Sequence, residues 1–266
     1  MQEERLKLRT AIKNDLSKDE EVLAIFYGGS IARGNDDLYS DLDLRVVVTE
    51  DSHSKHITRK KERAKNWGDV LFFEDRGPFV PYSIAHFKNF VKVDTFYYKP
   101  QDLQASIYLK EEADIDYDPY GLVKEAKEKS QEKIYELTFD EFDTWRGKFF
   151  GYLHEAYRRV MRNETYYALQ SVDWMRWSIV TGWYLEKGYL PNEPGSWSKY
   201  EGERSKLEEW QLSLLESWDC NRNQQSIVNA YKLMIPEFKR VHKALSKKLN
   251  IEEMPEWVDE IFNEVL

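Results

Sequence analysis

Ten residues separate Gly28-Gly29-Ser30 from Asp41-Leu42-Asp43, and this pairing of a glycine turn with alternating acids constrains the chain more than any other stretch. Val22 to Tyr27 is an apolar run that predicts a strand ending at the glycines, and Leu42 to Val48 predicts the next strand. Along a strand, residues i and i+2 share a face, so Asp41 and Asp43 stand side by side. Like charges that close repel and raise each other's pKa unless something positive sits between them. A hard divalent cation such as Mg²⁺ suits that place, because it takes oxygen ligands and keeps one side for substrate phosphates. The Gly-Gly-Ser turn leaves backbone N–H groups uncovered by side chains and free to hold phosphate oxygens.

Carried by Gly29-Ser30-Ile31-Ala32-Arg33-Gly34 followed by Ser40-Asp41-Leu42-Asp43-Leu44, the chain resembles the DNA polymerase β-like nucleotidyltransferase superfamily. It resembles in particular the form found in bacterial antibiotic-modifying and minimal nucleotidyltransferases. The resemblance implies an enzyme that uses a nucleoside triphosphate as substrate and two Mg²⁺ ions to move a nucleoside monophosphate, AMP from ATP, onto an acceptor hydroxyl. It implies that Asp41 and Asp43 bridge both ions, with Gly28, Gly29, Ser30, Arg33 and Ser40 around the nucleotide. Arg33 is read equally as a cap of the loop.

The family pattern asks for a third carboxylate on a later strand. Asp94 lies inside the β-prone run Phe90 to Tyr98. An acid inside an apolar strand is costly unless paired or metal-bound, which favours Asp94 over Glu74 and Asp75 at the end of the Val70–Phe73 strand. The alternative for Asp94 is a salt bridge to Lys92 or Arg45 across the sheet. As catalytic base, Asp94 is the first choice and Glu155 the reserve.

The net charge of −9 is shared, with 21 basic and 25 acidic residues in 1–130 against 18 and 23 in 131–266. Nucleic-acid binding needs clustered Lys and Arg. The basic run from Lys55 to Lys65 instead predicts one face of an amphipathic surface helix, so no nucleic-acid partner is expected. An acidic enzyme suits a small cationic acceptor. The polar N-terminus, a single cysteine placed in a helix, and the lack of a membrane-length apolar stretch predict a cytoplasmic protein with no membrane partner. The oligomeric state stays open.

The fold class expected is α+β: a mixed nucleotidyltransferase sheet flanked by helices in residues 1–130, then an all-helical acceptor-binding domain in 131–266. Asp116 to Gly121 reads as a turn. Helices are expected at about 139–163, 168–187, 200–217, 222–249 and 256–265, with aromatics at helical spacing that read first as core. This layout resembles the aminoglycoside and lincosamide adenylyltransferases, in which the helical part helps bind the acceptor. Glu155, one turn from Arg158 and Arg159, and Asp173, one turn from Arg176, are candidate acceptor contacts or ordinary surface ion pairs. A regulatory nucleotidyltransferase that modifies a protein, and a non-catalytic nucleotide-binding module, are the other functions compatible with the motif.

Overall fold

In the computed structural model, which describes residues 2–74 and 76–265, the chain divides into two units, Met1–Ile134 and Tyr135–Leu266. The first unit runs α1 (Gln2–Leu16), β1 (Val22–Tyr27), α2 (Gly29–Ala32), β2 (Leu42–Val48), α3 (His53–Ala64), β3 (Val70–Glu74), β4 (Tyr82–Phe87) and β5 (Lys92–Tyr98). It ends with α4 (Ile107–Glu111), β6 (Asp114–Tyr117) and α5 (Leu122–Ser130). The strands form one mixed sheet in the order β3-β4-β5-β2-β1-β6. Among the described residues only β2 and β5 pair in parallel, and the chain between them crosses over through α3, β3 and β4.

Alternation decides what each face does. Leu42, Leu44 and Val46 of β2 and Val93 and Tyr97 of β5 point to one side. There they bury against Leu8, Ile12 and Leu16 of α1 and Ile57 and Ala64 of α3. On the other side Ala24, Phe26 and Val47 pack with Val123 of α5. Asp43 and Arg45 share this second face with Val47 and are half-buried.

Two expectations in this unit need correction. The segment around Asp116 is the strand β6, which pairs antiparallel with β1. Its acids hid it, but Asp116 is ion-paired to Arg9 and Lys13, a common way of blunting an edge strand with charge. The turn follows at Asp118, whose carboxylate accepts the N–H groups of Leu122, Val123 and Lys124 at 2.9, 3.0 and 2.9 Å and so opens α5. The basic helix α3 is not polar all along its charged positions either. Lys60 turns inward and donates to the carbonyls of Gly77 and Val80 at 2.7 and 2.8 Å. Asp75 lies outside the described residues.

The second unit contains α6 (Phe139–Met161), α7 (Thr165–Lys187), α8 (Glu209–Ser217), α9 (Gln224–Lys248) and α10 (Pro255–Asn263). The helix expected from 200 begins only at Glu209. Gly202 takes a left-handed φ of +72°, and Tyr200 is fully buried with its hydroxyl accepting the Asn192 N–H at 3.0 Å. Tertiary burial of Tyr200 therefore holds this stretch as a loop. Cys220 lies in the link between α8 and α9 rather than in a helix.

Aromatic side chains form the core here. Phe149 stacks on Phe238 at 4.0 Å between centroids, and the indole N–H of Trp145 donates to the Ser178 carbonyl at 2.7 Å. Helix α7 is buried from Ser178 to Leu185. A Cβ at Gly182 would come 2.7 Å from Val241 of α9 and 2.8 Å from Trp145 of α6, so glycine sets how closely these helices approach. Gly182→Val should lower stability by about 1–3 kcal/mol through overpacking. Urea unfolding with an unchanged midpoint would show that the helices have slack at this point.

Candidate active site

The register of the parallel pair builds the site. Cα partners are Leu42↔Val93, Asp43↔Asp94 and Leu44↔Thr95. Residues directly opposed on neighbouring strands share a face, so the Asp43 and Asp94 carboxylates meet across one strand spacing of about 4.8 Å. Asp41 stands just before β2 and Lys92 opens β5. The Lys92 ammonium bridges the two strands, 2.7 Å from Asp41 Oδ2 and 3.1 Å from Asp94 Oδ2. Arg45 is two residues beyond Asp43 on the same face, and its guanidinium donates to the Asp43 carbonyl at 3.2 Å.

Even with both cations counted, the acids outnumber them. Burial, then repulsion from Asp41 and, against the pull of Arg45, from Asp94, pushes the Asp43 carboxyl up to about 6. Burial also raises the Asp94 carboxyl, against the opposing charge of Lys92. Burial works against the Lys92 ammonium, but its hydrogen bond to Asp41 and the charges of Asp94 and Asp41 hold its pKa above the ordinary value. Asp94 Oδ1 is buried without a hydrogen-bond partner, and an unpaired buried carboxylate oxygen is costly. A donor set of oxygens only, with an excess of negative charge and one orphaned oxygen, fits a hard divalent cation such as Mg²⁺. Lys92 bridges two of the three carboxylates, Asp41 and Asp94. Among the described residues, the acids and histidine drawn within one ion's reach are Asp19, Glu21 and His56, at the opposite end of β1 and β2.

The glycines matter through the space they leave. Gly29 has φ +62°, and a Cβ there would fall on Asp43 Oδ2, while one on Gly28 would fall on the Arg45 guanidinium. The Gly28 N–H is spent on the Asp43 carbonyl at 2.9 Å. Gly29 and Ser30 open α2, and the first N–H groups of a helix have no partner within it. Ser30 is buried with no side-chain partner among the described residues. Ser40 does not face this turn with a free hydroxyl. It accepts the Asp37 N–H at 2.9 Å and donates to Asp37 Oδ1 at 3.0 Å, closing the loop. Arg33 caps α2 and is ion-paired to Glu112.

Glu74 shares a row with Ile84 and Asp94 across the strands but lies two strands from Asp94 and pairs with His86 at 2.6 Å. In the helical unit, Glu155 is ion-paired to Arg158 and Arg159, and Asp173 to Arg176. Arg5 also supports the site, outside the motif. It is buried on α1, and its guanidinium ties the loop before Asp41 to the domain, reaching Asp36 Oδ2 at 2.7 Å and the Ser40 carbonyl at 3.0 Å. Its signal was its place at i, i+3, i+7 and i+11 with Leu8, Ile12 and Leu16 on the buried face of α1.

No family model matches the chain, and no curated protein matches it. Two solved structures are similar over most of its length. One is an aminoglycoside 6-adenyltransferase from Bacillus subtilis, 16% identical, with 96% of this chain and 98% of that chain covered at a TM-score of 0.43. The other is a nucleotidyltransferase-like protein from Exiguobacterium sibiricum, 14% identical, with 92% and 77% covered at a TM-score of 0.45. At these identities and TM-scores the likeness assigns no activity to this chain.

The raised Asp43 pKa has a sign. Its folded-state value of about 6 lies above the ordinary 3.8, so the folded state binds the proton more tightly and stability falls as pH rises through that window. Asp43→Asn should therefore stabilise the metal-free protein at about pH 7.5, with the gain shrinking toward about pH 4. Melting curves across that range check this. A variant less stable than wild type at the higher pH would mean that Asp43 is fully compensated by Arg45 and Lys92.

Proposed function

We propose that the chain is a Mg²⁺-dependent nucleotidyltransferase that moves AMP from ATP to a hydroxyl of a small cationic acceptor such as an aminoglycoside. The observation that carries this reading is the Asp43↔Asp94 register with Asp41 alongside, set against a turn whose glycines leave room for Asp43 and Arg45. Asp41, Asp43 and Asp94 would hold the metal, which when bound neutralises the triphosphate and polarises the reacting oxygens. The N–H groups of Gly29 and Ser30, with the Ser30 hydroxyl, bind the terminal phosphates. Lys92 balances Asp41 and Asp94 in the metal-free protein, and once displaced its ammonium is a donor for phosphate oxygens.

In the reaction the acceptor oxygen forms a bond to the α-phosphorus, and the bond from that phosphorus to the bridging oxygen breaks. Pyrophosphate leaves, and the acceptor proton passes to the Asp94 carboxylate, which stands opposite Asp43 across the parallel strand pair. Arg33, bound to Glu112, and Ser40, bound to Asp37, serve by shaping the loop that carries Asp41. The acidic balance of the chain, −9 overall, favours a cationic acceptor.

The deciding experiment incubates the protein with labelled ATP, GTP, CTP or UTP, Mg²⁺ and a panel of aminoglycosides, lincosamides and uncharged alcohols, followed by mass spectrometry. The expected product is an aminoglycoside carrying one AMP. Asp41→Asn and Asp43→Asn should each lower turnover by roughly a thousandfold or more, since each removes charge from the metal site, with circular dichroism unchanged. Near-wild-type turnover in either variant would overturn the nucleotidyltransferase reading. Adducts on protein side chains alone would replace the small acceptor with a protein.

A further inference from the structure

Asp19, Glu21 and His56 gather where α1 gives way to β1, far from the Asp43–Asp94 pair along the same strands. One ligand atom of each lies within 4.8 Å of the others. Acids clustered on a surface need no metal; His56 is what sets this group apart. Its imidazole is only 5% exposed, on the buried face of α3 with Ile57, Lys60 and Ala64. Its Nε2 is buried and makes no hydrogen bond, although Glu21 Oε2 stands 3.3 Å away. Burial holds the His56 pKa below its ordinary value, which leaves a neutral ring beside two carboxylates.

We propose that Asp19, Glu21 and His56 form a second metal site, for a borderline divalent transition ion of the zinc type, that ties the α1–β1 turn to α3. One imidazole nitrogen with two carboxylate oxygens suits such an ion better than Mg²⁺ or Ca²⁺, which prefer oxygen alone. The backbone is already fixed around the ligands. The Glu21 N–H donates to Asp19 Oδ1 at 3.1 Å, the Val22 N–H to the Asp19 carbonyl at 2.9 Å, and the Thr49 N–H to the Glu21 carbonyl at 2.9 Å. Donors sharing an ion at about 2.1 Å stand roughly 3–3.5 Å apart; Glu21 Oε2 and His56 Nε2 already do, at 3.3 Å, and an Asp19 oxygen lies within 4.8 Å of the other ligand atoms.

Two cations already stand beside these acids. Lys55 bonds Glu21 at 2.7 Å, but its side chain is 54% exposed and swings into solvent at little cost. Arg63 bonds Asp19 and Asp15, each at 2.6 Å. Its charge is thereby met by a second acid outside the ligand set, and its guanidinium holds Asp19 through Oδ2. A cleft of about 350 Å³, lined by Asp15, Asp19, His56, Lys55, Arg59 and Arg63 among others, opens onto Asp19 and His56.

The test uses the full chain carrying Asp41→Asn and Asp43→Asn together, so that the first site contributes little. Zn²⁺ is titrated by calorimetry while the imidazole nitrogens are followed by ¹⁵N NMR, with excess Mg²⁺ present. One equivalent of Zn²⁺ should bind and shift the His56 ring signals. Glu21→Gln should weaken that binding about tenfold or more, and His56→Gln should abolish it. Because a change at buried His56 can disturb folding, the more exposed Glu21→Gln decides the outcome. No bound equivalent would overturn the proposal. So would an equivalent that leaves the His56 signals in place and keeps its affinity in Glu21→Gln.

Discussion

The parallel pairing of β2 with β5 is the constraint on which the candidate active site depends. Among the described residues, none of the antiparallel pairs sets two acids opposite each other, but this register sets Asp43 directly opposite Asp94. Two carboxylates at one strand spacing, half removed from water, favour separation of the strands by repulsion. The opposite face offsets it. Leu42, Leu44, Val46 and Val93 are fully or almost fully buried under α1 and α3, and each such side chain contributes about 1.5–3 kcal/mol. The apolar face thus holds in place an acidic face that would not assemble by itself.

Lys92 and Arg45 show how the chain tolerates this arrangement without closing it off. Lys92 spans Asp41 and Asp94, while Arg45 approaches Asp43 from the side of Gly28. Neither reaches Asp94 Oδ1, which stays buried and unpaired. Natural structures rarely leave such atoms without a reason. Together with the raised Asp43 and Asp94 carboxyls, that orphan marks a place prepared for charge that the protein's own side chains do not fully supply.

The helical unit follows a different logic. Its polar side chains are largely spent on internal contacts: Trp183 donates to Glu237 at 2.6 Å, Trp177 to the Ser196 carbonyl at 3.2 Å, and Arg176 pairs with Asp173. Glu155 and Asp173, which the spacing alone left open as acceptor contacts, sit in such pairs. A cationic acceptor at either acid would also meet the charge of the neighbouring arginine, which lowers the net gain from the contact.

Strand and helix periodicity made most elements legible, since Val22 to Tyr27, Leu42 to Val48 and the long helices α6, α7 and α9 each follow one period. The motif likewise marks Asp41, Asp43 and the glycine turn by local spacing alone. What the sequence could not carry were the effects that depend on partners distant in the chain. β6 looked like a turn because its acids answer Arg9 and Lys13 on α1. The start of α8 moved because Tyr200 is buried against Thr181 and Tyr184 of α7. Asp94 could be singled out as an acid inside an apolar strand, but its register against Asp43, and the bridging of Asp41 and Asp94 by Lys92, are properties of strand pairing. Local spacing determines which face a side chain occupies; which charges share that face is decided only when the sheet closes.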